Sequence, residues 1–172
     1  PTMSLNLAVG TLRFYKQHSS TLHTGKQTGP ISMTGTRRIS GTVLAAEARP
    51  LIYVDGVDAS AGNRSQAATP DDSTTIAIGQ DGAGSSAFTW WDFWWCPAEL
   101  NDTQIAAIDA LLVAGVPADT KAYLLAISAD SVYIPVLSTD DATGGTGSLE
   151  DLFGNINGEP KNTEAGDIVA RL

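Results

Sequence analysis

The chain has 172 residues, a length that suits one domain able to bury a hydrophobic core without a disulfide or a structural metal. Its 17 glycines and its low share of charged residues (17%) favour an all-β fold with many turns. The formal net charge of −9 argues against non-specific binding to nucleic acid or anionic membranes, and a single cysteine, Cys96, excludes an internal disulfide and a multi-cysteine zinc site.

The sequence shows no segment that would place the chain in a membrane or direct its export. No run reaches the ~18 uninterrupted apolar residues of a transmembrane helix. The first ten residues lack the charged region and the apolar region of a secretory signal. We therefore expect neither a membrane partner nor a nucleic-acid partner.

Several segments in the first eighty residues alternate apolar and polar side chains, as β-strands do. They cover residues 4–9, 11–16, 31–34, 37–46, 49–57 and 74–79. The dipeptide Asp55-Gly56 is among the strongest signals for a two-residue hairpin turn. Residues 18–30, which include His18 and His23, predict a loop or a poor edge strand with surface histidines, and the polar residues 58–73 predict a long connection.

The most distinctive stretch is F-T-W-W-D-F-W-W-C at residues 88–96, which holds all four tryptophans of the chain. Its aromatic composition and the following proline predict a strand. Alternation gives this strand two faces. The all-aromatic face, which we expect to point into the core, contains Trp91, Phe93 and Trp95. The opposite face contains Trp90, Asp92 and Trp94.

After the aromatic run, apolar residues at helical spacing predict one short helix near residues 101–113. Asn101 and Gln104 have the spacing of a capping box, and Gly115 predicts the end of the helix. Residues 121–128 and 131–138 predict a second hairpin. We expect a domain of residues 1–138 followed by an extended C-terminal arm of residues 139–172.

The order of these motifs between Gly41 and Leu112 resembles the laminin-G-like branch of the concanavalin A-like lectin/glucanase superfamily. In that family a Y-V-D-G hairpin, an I-G strand, an acidic strand and the start of a helix follow one another, as L-I-Y-V-D-G-V, T-I-A-I-G, F-T-W-W-D-F-W-W and P-A-E-L-N-D-T-Q-I do here. The resemblance implies an antiparallel jelly-roll β-sandwich. The sequence departs from the family pattern where Trp91 occupies an acidic position and Trp94 a polar one.

No motif predicts catalysis. The paired carboxylates with which glycosidases work are missing, since the five glutamates are scattered along the chain, and no nucleophile elbow, P-loop or zinc motif occurs. We therefore expect a protein that is not an enzyme and needs no cofactor or metal. Some family members bind calcium through loop carboxylates, but solvated acidic turns are the simpler interpretation of the candidates Asp71, Asp72, Asp81, Asp140 and Asp141.

The face of Trp90, Asp92 and Trp94 is the candidate site for binding a partner or a glycan. Three interpretations stay open: burial beneath the helix or the arm, a subunit interface anchored by tryptophan, or stacking of the rings on a sugar with Asp92 accepting its hydroxyl hydrogen bonds.

The function expected from these observations is that of a non-enzymatic virion structural protein, a capsid decoration or fibre component of a bacteriophage. Laminin-G-like domains usually act outside cells, and phage proteins reach the outside by lysis of the host without a secretion signal. The expected partners are other virion proteins and further copies of the chain. The alternative is a carbohydrate-binding lectin or adhesin module, with cell-surface glycans as partners.

Overall fold

The computed structural model describes residues 5–8, 11–19, 22–32, 36–43, 49–67, 92–135, 149–155 and 157–158. The chain divides into two compact units, the first made of residues 1–72 and 99–114 and the second of residues 73–98 and 115–172. The described residues are mostly strands in antiparallel sheets, accompanied by two helices, so the protein is β-rich. The division expected from the sequence, a domain of residues 1–138 and an arm of residues 139–172, stays a prediction.

The strands are β1 (Leu5–Ala8), β2 (Thr11–Ser19), β3 (Leu22–Thr28), β4 (Ile39–Thr42), β5 (Leu51–Val54), β6 (Val57–Asp58), β7 (Ser60–Ala67), β8 (Asp92–Trp95), β9 (Val132–Pro135), β10 (Leu149–Glu150) and β11 (Asn157–Gly158). The helices are α1 (Asp102–Ala114) and α2 (Pro117–Ile127). Four of the predicted early strands are present in whole or in part. Ile31 and Ser32 lie outside any strand, and the segment 74–79 lies outside the described residues.

A four-stranded antiparallel sheet in the first unit has the order β1-β2-β3-β7. The prediction that residues 18–30 form a loop or a poor edge strand is wrong, because β3 lies between β2 and β7. The prediction of a long connection at residues 58–73 is wrong for residues 60–67, which form β7. Both strands are polar and show no alternation, so pairing with neighbouring strands, rather than an apolar face, is what stabilises them.

Gly25 shows how closely β2 and β3 approach. It lies opposite Tyr15, and a Cβ atom added to it would collide with the carbonyl oxygen of Phe14 and with the ring of Tyr15. The ring of Tyr15 is buried and covers the glycine. An aromatic side chain placed in this way compensates for a glycine inside a strand.

β4, β5 and β6 form a three-stranded antiparallel sheet, also in the first unit. Asp55 and Gly56 join β5 to β6 with φ angles of 52° and 77°, the positive values that a type I′ turn requires, so the predicted hairpin is confirmed. Ile52 of β5 packs against Leu12 and Phe14 of β2 in the core of this unit. Full burial of a side chain of this size contributes about 1.5–3 kcal/mol.

The start of α1 confirms the predicted capping box. The side-chain oxygen of Asn101 accepts the N–H of Gln104, and the side-chain oxygen of Gln104 accepts the N–H of Asn101, both at 3.0 Å. The helix ends before Gly115, whose φ of 68° is the left-handed conformation common after a helix C-terminus. Ile105 and Ile108 lie on its buried face.

In the second unit the predicted hairpin is wrong in its first half, because α2 occupies residues 117–127. The described part of the chain therefore has two helices where one was expected. Pro117 stands in the first turn, where its missing N–H leaves no intrahelical bond unmade, and the Lys, Ala and Leu residues that follow favour a helix. The second half is a strand, β9, but it pairs with β8.

Candidate functional site

The aromatic strand β8 pairs antiparallel with β9 in the second unit. Asp92 lies opposite Pro135, Phe93 opposite Ile134, Trp94 opposite Tyr133 and Trp95 opposite Val132. All four residues of β9 are buried. Trp90 and Trp91 lie outside the described residues, so the expected pairing of Trp90 with Trp94 on one face stays a prediction.

The expectation that Trp95 belongs to the core is wrong. Its side chain is 39% exposed, whereas Phe93, on the same face of the strand, is half-buried. Trp94, on the opposite face, is half-buried as well. Alternation groups side chains by face, but it does not decide which positions along a face are covered. Unit 2 therefore presents a tryptophan to solvent at a position where burial was expected.

Asp92 already has a structural partner. The hydroxyl of Tyr133 donates a hydrogen bond of 2.9 Å to its carboxylate, and Tyr133 is only 1% exposed. A hydroxyl this deeply buried requires a partner, because an unmade hydrogen bond there costs ~1–3 kcal/mol. Asp92 therefore helps to hold the β8–β9 pair together, and its role in binding a partner or a glycan stays a prediction.

A turn at residues 151–155 fixes part of the predicted arm to β9. The buried carboxylate of Asp151 accepts the backbone N–H groups of Tyr133 at 2.7 Å, Phe153 at 3.1 Å and Asn155 at 2.9 Å. The side-chain amide of Asn155 donates to the carbonyl oxygen of Ser131 at 2.7 Å. Within the second unit, residues 151–155 thus belong to the packed structure.

The hairpin of the first unit carries a charged cluster that the sequence did not predict. Asp55 accepts hydrogen bonds from the Arg37 guanidinium at 2.7 Å and from the backbone N–H of Arg38 at 3.1 Å. Arg38 also reaches Asp109 of α1, with 2.6 Å between Nε and Oδ1. Partial burial alone would raise the pKa of Asp55, but the hydrogen bonds and the positive charges of Arg38 and Arg37 outweigh it and lower the pKa.

Tyr53 links the same hairpin to the start of α1. Its hydroxyl donates to Asp102 Oδ1 at 2.6 Å, and the residue is 1% exposed. The pKa of Tyr53 is raised well above its usual value, first by burial and then by the hydrogen bond to Asp102 and the negative charges of Asp102 and Asp58. Both carboxylates therefore lie close to one buried hydroxyl.

Beside this hydroxyl, the hairpin and α1 line an open groove of about 510 Å³. It is lined by Gly56, Val57, Asp58, Asp102, Thr103 and Ala106. The signals that could have located it are the D-G-V-D turn and the N-D-T-Q helix start, two local motifs that the structure brings together.

The described residues contain no group of three or more His, Cys, Asp or Glu side chains placed to hold a metal ion. The loop carboxylates considered for calcium, Asp71, Asp72, Asp81, Asp140 and Asp141, lie outside the part of the chain that the structure describes. Cys96 is a free, half-buried cysteine. In the described residues, the arrangements that could serve function are therefore a surface tryptophan and an acidic groove.

Comparison with protein-family models, with curated proteins and with solved structures found no match for the chain. No helix in the described ranges has both the length and the hydropathy needed to cross a membrane. What the structure defines is thus a β-rich protein with a surface-exposed tryptophan on β8.

Proposed function

We propose that the protein is a non-enzymatic structural component of a bacteriophage particle, a capsid decoration or fibre protein that assembles through β8. The observation that supports assembly is the exposure of Trp95. A tryptophan exposed to this extent loses the favourable burial of a large apolar ring, and tryptophan is enriched among the anchor residues of protein interfaces. The partners are other virion proteins and further copies of the chain.

The structure around Trp95 suits an anchoring role. Trp95 lies opposite Val132, and the whole of β9 is buried, so the ring is mounted on a packed strand. The hydroxyl of Tyr133 donates to Asp92 of β8, and its backbone N–H donates to Asp151. Both hydrogen bonds fix the position of β9. A strand held in this way loses little backbone conformational entropy on binding, which favours affinity.

The finer fold we propose is the jelly-roll β-sandwich of the laminin-G-like domains. Three features support it: the Y-V-D-G segment forms a type I′ hairpin, a helix begins after P-A-E-L-N, and side chains of β2 and β5 share a core. Domains of this family usually act outside cells as binding modules, a role that a virion protein also fills.

Location is tested by purifying phage particles from the source culture on a density gradient and measuring their protein content by mass spectrometry. We expect the chain to co-sediment at a fixed ratio to the capsid or tail proteins. Recovery of the chain only as a soluble monomer, with none on particles, would contradict the proposal.

The role of Trp95 is tested with Trp95→Ala, compared with Leu125→Ala, which removes a large side chain that is 51% exposed on α2 of the same unit. We expect Trp95→Ala to reduce particle binding or self-association at least tenfold with an unchanged melting temperature. Leu125→Ala should leave both unchanged. Equal effects of the two variants would show that β8 is not the interface.

The alternative function is glycan binding by a lectin or adhesin module. The observation in its favour is that Asp92 and Trp94 share a face of β8 and are both only half-buried, so that an acceptor and an aromatic ring both reach the surface. On this alternative, Trp94→Ala abolishes retention on a glycan array without lowering thermal stability. A fall in stability with no glycan binding by the wild type would instead assign Trp94 to packing.

A further inference from the structure

We propose that the groove between the β5–β6 hairpin and α1 docks a lysine or arginine side chain carried by a partner protein. The inference is independent of the virion proposal, because it uses only residues of the first unit.

The first argument is the local charge balance. Of the four aspartates around the hairpin and α1, Asp55 and Asp109 are paired with Arg37 and Arg38. The other two carboxylates, Asp58 and Asp102, line the groove and form no ion pair within the described residues. The groove therefore carries two negative charges that no cation of the described structure balances, and a cationic group is the complementary ligand.

The second argument concerns anions. A helix N-terminus normally attracts anions through its free N–H groups and its dipole. At α1, the side chains of Asn101 and Gln104 already satisfy the N–H groups of both residues, and Asp102 supplies a negative charge in the first turn. The capping box therefore uses two N–H groups of the helix start, and Asp102 opposes the dipole there, which makes this helix start less attractive to an anion.

The third argument concerns shape and apolar lining. Val57 is 68% exposed and Ala106 is exposed too, so the groove offers apolar contact beside its two carboxylates. The side chains of lysine and arginine combine a methylene stem with a charged end, and such a surface fits both parts. Two carboxylates do not make a metal site, and the groove is open, which suits a side chain presented by another protein.

A second copy of the chain is a poor occupant of this groove, because the chain has only 10 lysines and arginines against 19 aspartates and glutamates. A basic segment is more readily supplied by a different protein.

The test is a titration of the ¹⁵N-labelled full chain with a capped peptide of alternating glycine and lysine at low salt. We expect amide shift changes at Val57, Asp58, Thr103 and Ala106. The double variant Asp58→Asn with Asp102→Asn should weaken binding about tenfold, at about threefold for each exposed ion pair. Asp102→Asn keeps an oxygen that can accept the hydrogen bond donated by the Tyr53 hydroxyl.

Two controls make the result specific. Asp119→Asn removes an exposed carboxylate from the first turn of α2 and should leave peptide affinity unchanged. The same peptide with acetylated lysines should not bind. If the double variant fails to fold, Thr103→Lys places a positive charge in the groove and should abolish binding by itself. No shift changes at the groove at millimolar peptide, equal weakening by Asp119→Asn, or self-association that needs Asp58 and Asp102 would each overturn the proposal.

Discussion

The backbone N–H of Tyr133 donates a 2.7 Å hydrogen bond to the buried carboxylate of Asp151, which fixes the turn at residues 151–155 to β9. The same carboxylate, which is 5% exposed, also accepts two N–H groups of its own turn, so three backbone donors point at one side chain. The Asp151 side chain therefore links the turn to the strand, in addition to the Asn155 amide that donates to Ser131.

Asp151→Asn should lower the free energy of unfolding of the second unit by about 2–3 kcal/mol, because an amide replaces one acceptor oxygen with a donor that faces a backbone N–H. Chemical denaturation measures the loss, and limited proteolysis should show earlier cleavage at residues 149–158. The matched control is Asp130→Asn, an exposed aspartate in the turn before β9, which should change stability by less than about 0.5 kcal/mol. Equal stability of both variants would contradict the anchoring role.

Asp55 performs two tasks, which two substitutions separate. Asp55→Asn keeps a residue that tolerates the positive φ of the turn but removes the charge that Arg37 and Arg38 contact, and should cost about 1 kcal/mol. Asp55→Ala removes the charge and also places a poorly tolerated residue at φ 52°, so it should cost about 1 kcal/mol more. Thermal denaturation of both variants at neutral pH tests this order.

The lowered pKa of Asp55 gives this charge a pH signature. A carboxyl whose pKa is lower in the folded state stabilises the fold above its unfolded pKa, near 3.8, and that stabilisation is lost as the pH falls through the folded pKa. The difference in melting temperature between wild type and Asp55→Asn should therefore be constant between about pH 5 and 7 and shrink below about pH 4. A difference independent of pH down to the acid transition would contradict the assignment.

The contribution of Tyr53 to stability should have the opposite pH dependence. Its pKa is raised in the folded state, so the stability that it contributes is complete below its ordinary pKa of 10.0 and is lost as the pH rises further. Tyr53→Phe should cost about 1–2 kcal/mol at neutral pH through the lost bond to Asp102, and should reduce the alkaline loss of stability above about pH 10. Tyr123→Phe, on half-buried Tyr123 of α2, is the control for loss of a hydroxyl. Denaturation curves at pH 7 and above pH 10 provide the measurement.

Gly25 and Gly29 form a natural pair for testing the contact between β2 and β3. Gly25→Ala should destabilise the first unit by about 2–4 kcal/mol, because its Cβ would meet the backbone of Phe14 and the ring of Tyr15. At Gly29 no atom lies within 4 Å of the position a Cβ would take, so Gly29→Ala should be neutral or slightly stabilising. Similar denaturation midpoints for both variants would show that β2 and β3 do not approach as closely at Gly25 as described above.

Features with a local chemical cause could be predicted from the sequence. The hairpin at Asp55-Gly56 depends on two φ angles, and the capping box depends on Asn101 and Gln104 alone. β3 and β7 were missed because their polar side chains give no alternation and their pairing is a property of the sheet. α2 was mistaken for a strand because a short apolar run suits either a strand or a helix.

The candidate sites show the same limit. Alternation placed Asp92 and Trp94 on one face, but neither the bond of Asp92 to Tyr133 nor the exposure of Trp95 follows from spacing along β8. The groove depends on a hairpin and a helix start that are far apart in the sequence, so its two carboxylates could be brought together only by the fold.

The first unit is built from two separate stretches of sequence, which has a consequence for synthesis on the ribosome. Its strands are complete by residue 67, whereas α1 is made only after the segment that begins the second unit has emerged. Asp109 is synthesised 71 residues after its partner Arg38, and Asp102 is synthesised 49 residues after its partner Tyr53. A nascent chain paused before residue 99 would therefore lack one ion pair of Arg38 and the acceptor of the Tyr53 hydroxyl, and neither unit can be produced as one uninterrupted fragment.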